Sequence, residues 1–428
     1  MRILFVTQNL PYPLNSGAKI KSYQFLKALA AKHDVTLLSY VRSRQENRYC
    51  RHLSEFCEQI DTCLLKRARL RDVGIYAASV LLRKPFVTSR DCVREMNQKV
   101  GRLLSSNEYD IIHIDHLQMA QFVPEGIDAL KVLDEHNVEW CIIERIARSE
   151  RSVAKRILAA IEYPKLRQFE IWACSQADYV LTVTEVDSLS LAGLLTESEN
   201  GLANPKMRTI PIGVDTEYFS YSWEGEGRAK CALVGSMYWP PNVDAAVYFC
   251  RDILPLARES IPELEFDIVG LKPARVLLSL ERAVSGVNVT GTVADVRPYM
   301  KDCGVFVVPL RAGSGMRVKI LNAMATGIPV VSTSVGCEGI KGLVSVEEPL
   351  SERDNRKANI WVADSPEQFS RAVVSIISGN ELAKTLSRNG RELMRTGYDW
   401  AVVREKILAV YDEMGEERRR REHRGVRE

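Results

Sequence analysis

The stretch 313–333, "GSGMRVKILNAMATGIPVVST", places a loop, a helix and a candidate strand in immediate succession. The helix carries Arg317 and Lys319 near its start, although the partly positive N-terminal end of a helix normally favours Asp or Glu. The loop glycines would let a ligand approach the backbone, so loop, helix start and two cations together favour a bound phosphate group. The alternative is that both cations are ordinary solvated surface charges.

Short β-branched runs alternate with amphipathic helices in both halves of the chain. This alternation predicts parallel sheets that are covered on both faces, an α/β architecture. The predicted strands are 3–6, 35–40, 110–114, 131–134 and 179–183 in the first half, and 231–234, 265–269, 287–290, 305–308 and 329–332 in the second. Residues 204–219, with proline, glycine and little helical character, are the predicted connector. Two doubly wound domains would bind ligands beyond the carboxyl ends of their strands, in a cleft between them.

The composition excludes several classes of protein. The 428 residues are 46% hydrophobic and 26% charged, which is ordinary for a globular protein of two or three domains. A net charge of +3 and the lack of zinc-finger spacing argue against binding to nucleic acid. The ten scattered cysteines form no Cys-x-x-Cys pair, which favours a reducing cytoplasm. We expect no signal peptide, because prolines interrupt the first apolar run early, and no membrane span.

Two basic stretches need an explanation. In residues 64–86, cations precede and follow a ten-residue apolar run, so the stretch is a candidate anchor at a membrane surface. An equally weighted alternative is an ordinary helix that packs four residues into a core: Ile75, Tyr76, Val80 and Leu81. The C-terminal stretch 415–428, "GEERRRREHRGVRE", is predicted to be a solvated, frayed tail.

Five segments resemble motifs of the retaining, nucleotide-sugar-dependent glycosyltransferases of group 1, or family 4, which have the GT-B fold. They are "LTVTEVDS" (181–188), "IPIGVDTEYF" (210–219), "ADVRPYMKDCGVFVVPL" (294–310), "GSGMRVKILNAMATGIPVVSTSVGCEGI" (313–340) and "YDWAVVREKILAVY" (398–411). The order of the motifs also matches, from the opening "MRILFVTQNLPYPLNSGAKIKS" to Tyr411. The resemblance therefore covers nearly the whole chain.

The resemblance implies two Rossmann-like domains that face each other across a cleft. Residues 1–206 would bind the acceptor, residues 207–397 would bind the donor nucleotide, and residues 398–428 would form a helix crossing back to the first domain, followed by the basic tail. It implies a metal-independent, retaining hexosyltransferase without a cofactor, which moves sugar from a UDP- or GDP-sugar to a glycan or lipid-linked acceptor. The implied setting is surface polysaccharide synthesis in the cytoplasm, with peripheral contact at the inner membrane. The alternatives are a nucleotide-sugar epimerase of the same fold and a nucleotide-sugar-binding protein that has lost catalysis.

The resemblance also implies which residues hold the donor. They are Gly17, Gly235, Ser236, Gly313, Ser314, Gly315, Met316, Arg317, Lys319 and Asn322. Lys319 is favoured over Arg317 as the group that stabilises the leaving diphosphate, since on an ideal helix Lys319 shares a face with Asn322. Arg311 is a further candidate cation.

The chain departs from the family pattern at two places. Many relatives carry two glutamates where Ser314 and Asn322 stand, and an amide can hydrogen-bond a hydroxyl group but carries no negative charge. Glu338 is a spare carboxylate nearby in the sequence. Many relatives also place an Arg and a Lys shortly after the strand that ends before Gly235, whereas here no cation precedes Arg251.

In the N-terminal half, polar residues follow two neighbouring predicted strands. Relatives place a histidine here beside the reacting sugar, so Asp115, His116 and His136 are candidate catalytic residues together with Lys319. His113 alternates with apolar strand residues and is predicted to be structural. A metal held by these histidines is the disfavoured alternative, because they lack His-x-x-x-His spacing.

Overall fold

The computed structural model describes residues 1–149, 152–196, 204–220, 223–313, 315–346 and 354–425. The chain divides into two compact units. The first unit consists of Met1–Pro211 and Arg404–Glu428, and the second consists of Ile212–Val403. Each unit is built around one parallel sheet.

The sheet of the first unit has seven parallel strands in the order β3-β2-β1-β4-β5-β6-β7. Their bounds are β1 (Arg2–Thr7), β2 (Asp34–Val41), β3 (Gln59–Leu64), β4 (Ile111–Asp115), β5 (Leu130–Asp134), β6 (Tyr179–Thr182) and β7 (Lys206–Thr209). The central strands are almost fully buried on both faces and mostly apolar. Each predicted strand of this half is present, and the predicted connector contributes its first part as β7.

Nine helices belong wholly or mainly to the described part of the first unit. They are α1 (Gly17–Ala30), α2 (Cys50–Leu53), α3 (Arg69–Leu81), α4 (Phe86–Asp91), α5 (Arg94–Ser106), α6 (Glu139–Ser149), α7 (Val153–Ser175), α8 (Glu185–Thr196) and the last helix of the chain, α17 (Trp400–Gly425). Two short 3-10 segments, Arg44–Tyr49 and Leu117–Phe122, complete the part of the first unit that the structure describes. From α17, Ile407, Tyr411 and Met414 are completely buried.

The second unit has six parallel strands in the order β10-β9-β8-β11-β12-β13. They are β8 (Lys230–Val234), β9 (Glu265–Val269), β10 (Val287–Gly291), β11 (Val305–Val308), β12 (Val330–Ser332) and β13 (Trp361–Val362). The helices are α9 (Pro240–Tyr248), α10 (Leu254–Arg258), α11 (Arg275–Ala283), α12 (Arg297–Lys301), α13 (Val318–Thr326), α14 (Ser334–Cys337), α15 (Pro366–Ser378) and α16 (Asn380–Leu393). Two π-helical segments, Phe249–Ile253 and Met394–Tyr398, and the 3-10 segment Asp354–Lys357 complete the described part.

In each sheet the strand order reverses direction at one point. The reversal lies between β1 and β4 in the first unit and between β8 and β11 in the second. In open parallel sheets, the loops at the carboxyl ends of the strands diverge at such a point and leave a crevice that binds ligands. The residues just after β1, β4, β8 and β11 are therefore the ones expected to bind ligands.

The prediction of a frayed basic tail is wrong for residues 415–425, which continue α17. Arg418 pairs with Asp128 at 2.5 Å, and Arg421 pairs with Asp178 at 2.8 Å. Arg421 also lies one helical turn from Glu417, at 2.8 Å. These ion pairs hold the helix in place, whereas the predicted exposure to solvent is confirmed for residues 419–423.

None of the described helices combines the length and the apolarity that crossing a membrane requires.

Candidate functional site

The carboxyl ends of β1, β4 and β5 bring three polar residues side by side. Thr7 is the register partner of Asp115, and Asp115 is the register partner of Asp134. All three side chains are fully buried. Since each is the last residue of its strand, the chain is free to turn there, and His116 and His136 follow within two residues.

Asp115 is the centre of this histidine cluster, by which we mean Asp115, His116, Asp134 and His136. Its carboxylate accepts hydrogen bonds from the hydroxyl groups of Thr7 (2.5 Å) and Ser22 (2.7 Å). His136 Nε2 lies 2.7 Å from one carboxylate oxygen and His116 Nδ1 lies 3.1 Å from the other. The two imidazole rings stack with their centroids 3.9 Å apart.

The two histidines of the cluster differ in their pKa values. Burial alone lowers the pKa of His116, but the neighbouring Asp115 carboxylate outweighs it and holds the pKa above its ordinary value. Burial, with the charges of His116 and Lys21, lowers the pKa of His136 to about 4. His116 beside Asp115 therefore keeps its proton to a higher pH than an unperturbed imidazole, whereas His136 is neutral near neutral pH. This arrangement can donate hydrogen bonds to the hydroxyl groups of a sugar and can hold a proton near neutral pH.

A buried ion pair supports the cluster from α1. Lys21 Nζ lies 2.5 Å from Asp134 Oδ1, and both side chains are at most 1% exposed. The other oxygen of Asp134 lies 3.7 Å from His113 Nε2. His113 is fully buried, stacks on Phe5 and lies 2.5 Å from the Tyr411 hydroxyl group, so the predicted structural role is confirmed.

The same residues contain two sets of ligand atoms close enough to hold a metal ion. One set is Asp115, His116 and His136, and the other is His113, Asp115 and Asp134. The hydrogen bonds to Asp115 already satisfy its carboxylate, and the Lys21 ammonium group supplies positive charge beside Asp134. A divalent ion would have to displace the hydrogen bonds to Asp115, and the Lys21 ammonium group would repel it. These residues therefore do not fit a metal well.

Three glutamates whose pKa values are raised were not predicted: Glu135 and Glu170 are buried, and Glu139 is half-buried. Burial raises the pKa of Glu170 to about 8 and also raises the pKa values of Glu135 and Glu139. The Glu170 carboxyl group accepts hydrogen bonds from the backbone N–H groups of Glu139 and Trp140, both at 3.0 Å, and so caps α6. Local sequence spacing could not predict this contact, because Glu170 lies 31 positions after Glu139.

In the second unit, the loops after β8 and β11 meet at Lys319. Lys319 lies in the first turn of α13 and donates a hydrogen bond to Asn242 Oδ1 at 2.7 Å. Asn242 in turn donates to the backbone oxygen of Ser236 at 3.1 Å. A Cβ atom on Gly235 would lie 3.0 Å from Lys319 Nζ, so the glycine leaves room for the ammonium group. We call Gly235, Ser236, Asn242 and Lys319 the lysine pocket.

Lys319 is half-buried, and it has no carboxylate partner among the described residues. Burial, and secondarily the charge of Arg317, lowers the pKa of Lys319 to about 7. An ammonium group that has lost part of its hydration and has only a neutral amide as partner favours an anion nearby.

The glycine-rich loop before α13 is held by Arg317. Arg317 is the N-cap residue of α13 rather than part of its first turn, and its guanidinium group donates to the backbone oxygen of Gly315 at 2.8 Å. Gly313 and Gly315 both have positive φ angles, of 148° and 72°. The φ angle of Gly313 lies in a region that L side chains rarely adopt, so another residue would be strained there, and its Cβ atom would also displace the Arg317 guanidinium group.

The structure places the other predicted donor residues as follows. Met316 is buried, and Asn322 is half-buried on α13 with its backbone oxygen bonded to Thr326. Ser314 lies outside the described residues. Gly17 is the first residue of α1, after the N-cap residue Ser16. Arg311 is engaged in an ion pair with Asp244 at 2.6 Å.

A family model described as "Glycosyl transferases group 1" matches residues 228–379, which lie within the second unit. A relative from Klebsiella pneumoniae, named as an uncharacterized 44.6 kDa protein in the cps region, is 22% identical and covers 93% of this chain and 96% of its own length. The phosphatidyl-myo-inositol mannosyltransferase of Mycobacterium tuberculosis is 24% identical over 47% of this chain and 53% of its own.

Three solved structures share the fold over nearly the whole chain. Sucrose-phosphate synthase from Thermosynechococcus elongatus has a TM-score of 0.64 at 16% identity, covering 97% of this chain and 99% of its own. HepE of Anabaena, in complex with UDP, has a TM-score of 0.63 at 12% identity, covering 96% and 100%. WaaG, a glycosyltransferase involved in lipopolysaccharide biosynthesis, has a TM-score of 0.61 at 14% identity, covering 95% and 98%. The chain therefore has the GT-B fold of these solved structures, and its residues 228–379 are similar to the group 1 glycosyltransferases.

Proposed function

We propose that the protein is a retaining glycosyltransferase that moves a hexose from a UDP- or GDP-sugar to a glycan or lipid-linked acceptor. The lysine pocket carries this proposal, because a half-buried ammonium group without a carboxylate partner in the described part of the chain suits a diphosphate. The pocket also lies within the residues that match the family model. UDP in the structure of the similar HepE supports a nucleotide donor.

In this proposal, the second unit binds the donor and stabilises the leaving group. Lys319, together with Arg317 and the backbone of the glycine-rich loop, would face the negative charge that grows on the diphosphate as the bond to the sugar breaks. These cations take the part that a metal ion plays in other transferases, so the reaction needs neither metal nor cofactor. Asn322 would hydrogen-bond a hydroxyl group of the donor.

The first unit would contact the sugar and the acceptor through the histidine cluster. His116 beside Asp115 and the neutral His136 offer hydrogen bonds to hydroxyl groups near the reacting carbon. The departing phosphate would take the proton of the acceptor on the same face of the sugar, which keeps the anomeric configuration. No separate general base is required.

The setting that we propose is surface polysaccharide synthesis in the cytoplasm, at the inner face of a membrane. Support comes from the cps-region relative and from WaaG, whose description names lipopolysaccharide biosynthesis. The name of the mannosyltransferase relative indicates a lipid acceptor for that enzyme. A lipid-linked acceptor would bring this chain to a membrane surface.

The first experiment is a thermal-shift titration with UDP, GDP, ADP and their common sugar conjugates, with and without EDTA. We expect one nucleotide to stabilise the protein equally in both conditions, because only protein groups hold the diphosphate. Lys319→Ala should remove most of this shift, whereas Lys384→Ala, which alters an exposed lysine of the same unit paired with Glu226, should leave it unchanged.

The absence of a shift with every nucleotide would contradict the donor site. A shift without donor hydrolysis or transfer to any glycan or lipid-linked acceptor would instead favour a nucleotide-sugar-binding protein. The Asn322 amide, which stands where many relatives carry a glutamate, is the residue that would account for that outcome.

A further inference from the structure

The basic stretch 64–86 contributes one cation to the interior of the first unit. The interpretation in which its helix packs into a core is wrong for Val80 and Leu81, which are 41% and 84% exposed. Arg67, which lies between β3 and α3, instead contacts Asp91, the last residue of α4. The Asp91 side chain is fully buried, so this contact brings a guanidinium group to a buried carboxylate.

Two more arginines lie beside Arg67. Arg67 Nη2 contacts both carboxylate oxygens of Asp91, at 2.9 and 3.0 Å, and Arg90 Nε lies 3.4 Å from one of them. Arg42 is the residue directly after β2. Burial, and secondarily the charge of Arg67, lowers the pKa of Arg42, with a smaller contribution from the charge of Arg90. We call Arg42, Arg67, Arg90 and Asp91 the arginine cluster.

Arg42 is not needed to satisfy Asp91. Gln8 Nε2 donates to one carboxylate oxygen of Asp91 at 2.7 Å, and Arg67 contacts both oxygens. Arg42 Nη2 donates instead to Asn9 Oδ1 at 3.3 Å, which is a neutral partner. Arg42 Nη1 is buried and has no hydrogen bond among the residues that the structure describes. A buried N–H group without an acceptor costs free energy, which a ligand oxygen would recover.

Positive charge exceeds negative charge in the arginine cluster. Besides Asp91, the carboxylate that faces Arg42 is that of Glu46, which accepts a hydrogen bond from the backbone N–H of Arg42 at 2.9 Å. Three guanidinium groups and two carboxylates leave one positive charge uncompensated. The planar fork of a guanidinium group fits the paired oxygens of a carboxylate or a phosphate. The arginine cluster therefore favours a ligand that carries one such oxyanion.

The arginine cluster lies next to the histidine cluster at the carboxyl ends of the strands. Asn9, the hydrogen-bond partner of Arg42, follows β1 by two residues. The backbone N–H of Asn9 donates to the Thr7 hydroxyl group at 3.4 Å, and this hydroxyl group donates to Asp115 at 2.5 Å. Thr7 and Asn9 therefore connect the two clusters within the first unit.

We propose that the arginine cluster binds a carboxylate or phosphate group of the acceptor. The acceptor would place its reacting hydroxyl group at the histidine cluster, and its oxyanion would accept hydrogen bonds from Arg42 and its neighbours. Asp91 would hold Arg67 and Arg90 in position for this contact. That the ligand is an acceptor rests on the proposed function, whereas the oxyanion site rests on the arginine cluster alone. The acceptor is thus an acidic or phosphorylated sugar rather than a neutral one.

The test is a ligand-observed NMR titration of the full-length protein with glucose, glucuronate and glucose 6-phosphate. The protein carries Lys319→Ala, so that the lysine pocket does not compete for phosphate. We expect at least one of the two anionic sugars to bind about ten-fold or more tightly than glucose. A preference for glucuronate would identify an acidic sugar in the acceptor, and a preference for glucose 6-phosphate would identify a phosphorylated one.

Variants of Arg42 show whether the preference arises at the arginine cluster. Arg42→Gln should remove it, and Arg42→Lys, which keeps the charge without the planar fork, should retain part of it. The matched control is Arg44→Gln, because Arg44 lies two residues further along the chain and is exposed. This control should leave all three affinities unchanged, since water and salt screen an exposed charge.

The proposal is overturned if neither anionic sugar binds more tightly than glucose, if Arg42→Gln keeps the full preference, or if Arg44→Gln loses as much of it. Urea denaturation checks that each variant folds, and Arg42→Lys serves the same comparison if Arg42→Gln does not fold. With Lys319 intact, Arg42→Gln should not change the thermal shift with a nucleotide. A failure of this inference therefore leaves the donor site standing, and a failure of the donor site leaves oxyanion binding in place.

Discussion

At the scale of single residues, Lys319 differs from a surface lysine because its ammonium group is half-buried beside Arg317. Its pKa of about 7 means that the free enzyme loses this charge as the pH rises through neutrality. Binding a diphosphate needs the charged form, so the affinity for a nucleotide-sugar should be highest below pH 7 and fall above it, by at most about ten-fold per pH unit. The diphosphate diester itself has no proton to lose in this range.

Isothermal titration calorimetry between about pH 6 and pH 9 measures this dependence. Lys319→Arg should bind with little pH dependence, since a guanidinium group stays charged. Near neutral pH the wild type should take up a proton on binding, which buffers of different ionisation enthalpy reveal. A flat pH profile for the wild type would show that Lys319 does not contact the phosphates.

The Lys21 and Asp134 pair allows a second prediction at this scale. Lys21→Met leaves a carboxylate buried without its partner and should lower the free energy of unfolding of the first unit by about 3–5 kcal/mol. The same substitution at Lys32, whose partner Asp412 is 3.6 Å away with both side chains at least half exposed, should cost less than about 1 kcal/mol. Urea denaturation measures both.

Lys21→Met with Asp134→Asn should recover much of the loss, because it removes the unpaired charge as well. If Lys21→Met and Lys32→Met lowered the free energy of unfolding equally, the buried ion pair would contribute no more stability than the exposed one.

At the scale of elements, a hydrogen bond between Tyr411 and His113 attaches α17 to the rest of the first unit, and the sequence alone did not predict it. Tyr411→Phe removes the hydroxyl group that meets His113 Nδ1 and leaves a buried nitrogen without its partner. We expect a loss of about 1–3 kcal/mol in the free energy of unfolding, measured by denaturation with urea.

Tyr76→Phe is the matched control for this change. The Tyr76 hydroxyl group is buried without a hydrogen bond among the described residues, so its removal should be neutral or slightly stabilising. If both variants lose the same stability, the loss comes from removing a buried hydroxyl group in general and not from the contact with His113.

The elements that the sequence predicted are those with the strongest physical signal. Central parallel strands such as β1 and β11 are buried on both faces, so they are nearly continuous apolar runs and were found. The strands β3 and β7 lie at the two edges of their sheet and are only partly buried, and β13 has two residues, so their sequences show no such run.

Prediction of the candidate site was limited in the same way. Asp115, His116 and His136 were identified because strand ends of a parallel sheet meet at one edge. The charge of Lys21, which lowers the pKa values of both His116 and His136, comes from α1, a helix whose placement depends on the whole fold. Local spacing therefore identified the residues at the strand ends but not the contacts that determine their pKa values.

At the scale of the whole molecule, the two units should respond separately to a ligand. Calorimetry should resolve two unfolding transitions, and a nucleoside diphosphate, which lacks the sugar, should stabilise one of them by about 2.7 kcal/mol at about a hundred times its dissociation constant. That transition should belong to the second unit, which contains the lysine pocket. Lys21→Met should lower the other transition and leave the ligand-dependent one in place.

If the ligand raised both transitions equally, or if Lys21→Met lowered the ligand-dependent transition, the two units would unfold as one. Lys319→Ala should abolish the shift without moving either transition of the unliganded protein by more than a few degrees, because Lys319 has no carboxylate partner to lose among the described residues.

The first unit is assembled from both ends of the chain, since Met1–Pro211 is joined by Arg404–Glu428. During synthesis, the ribosome must make all of the second unit before α17 can emerge and cover His113. Until then the nascent first unit lacks the side chains of Ile407, Tyr411 and Met414, which fill its interior in the finished protein. A premature stop anywhere before α17 would thus damage the beginning of the protein as well as its end, and a gene fragment meant to express the first unit alone would have to splice this helix back on.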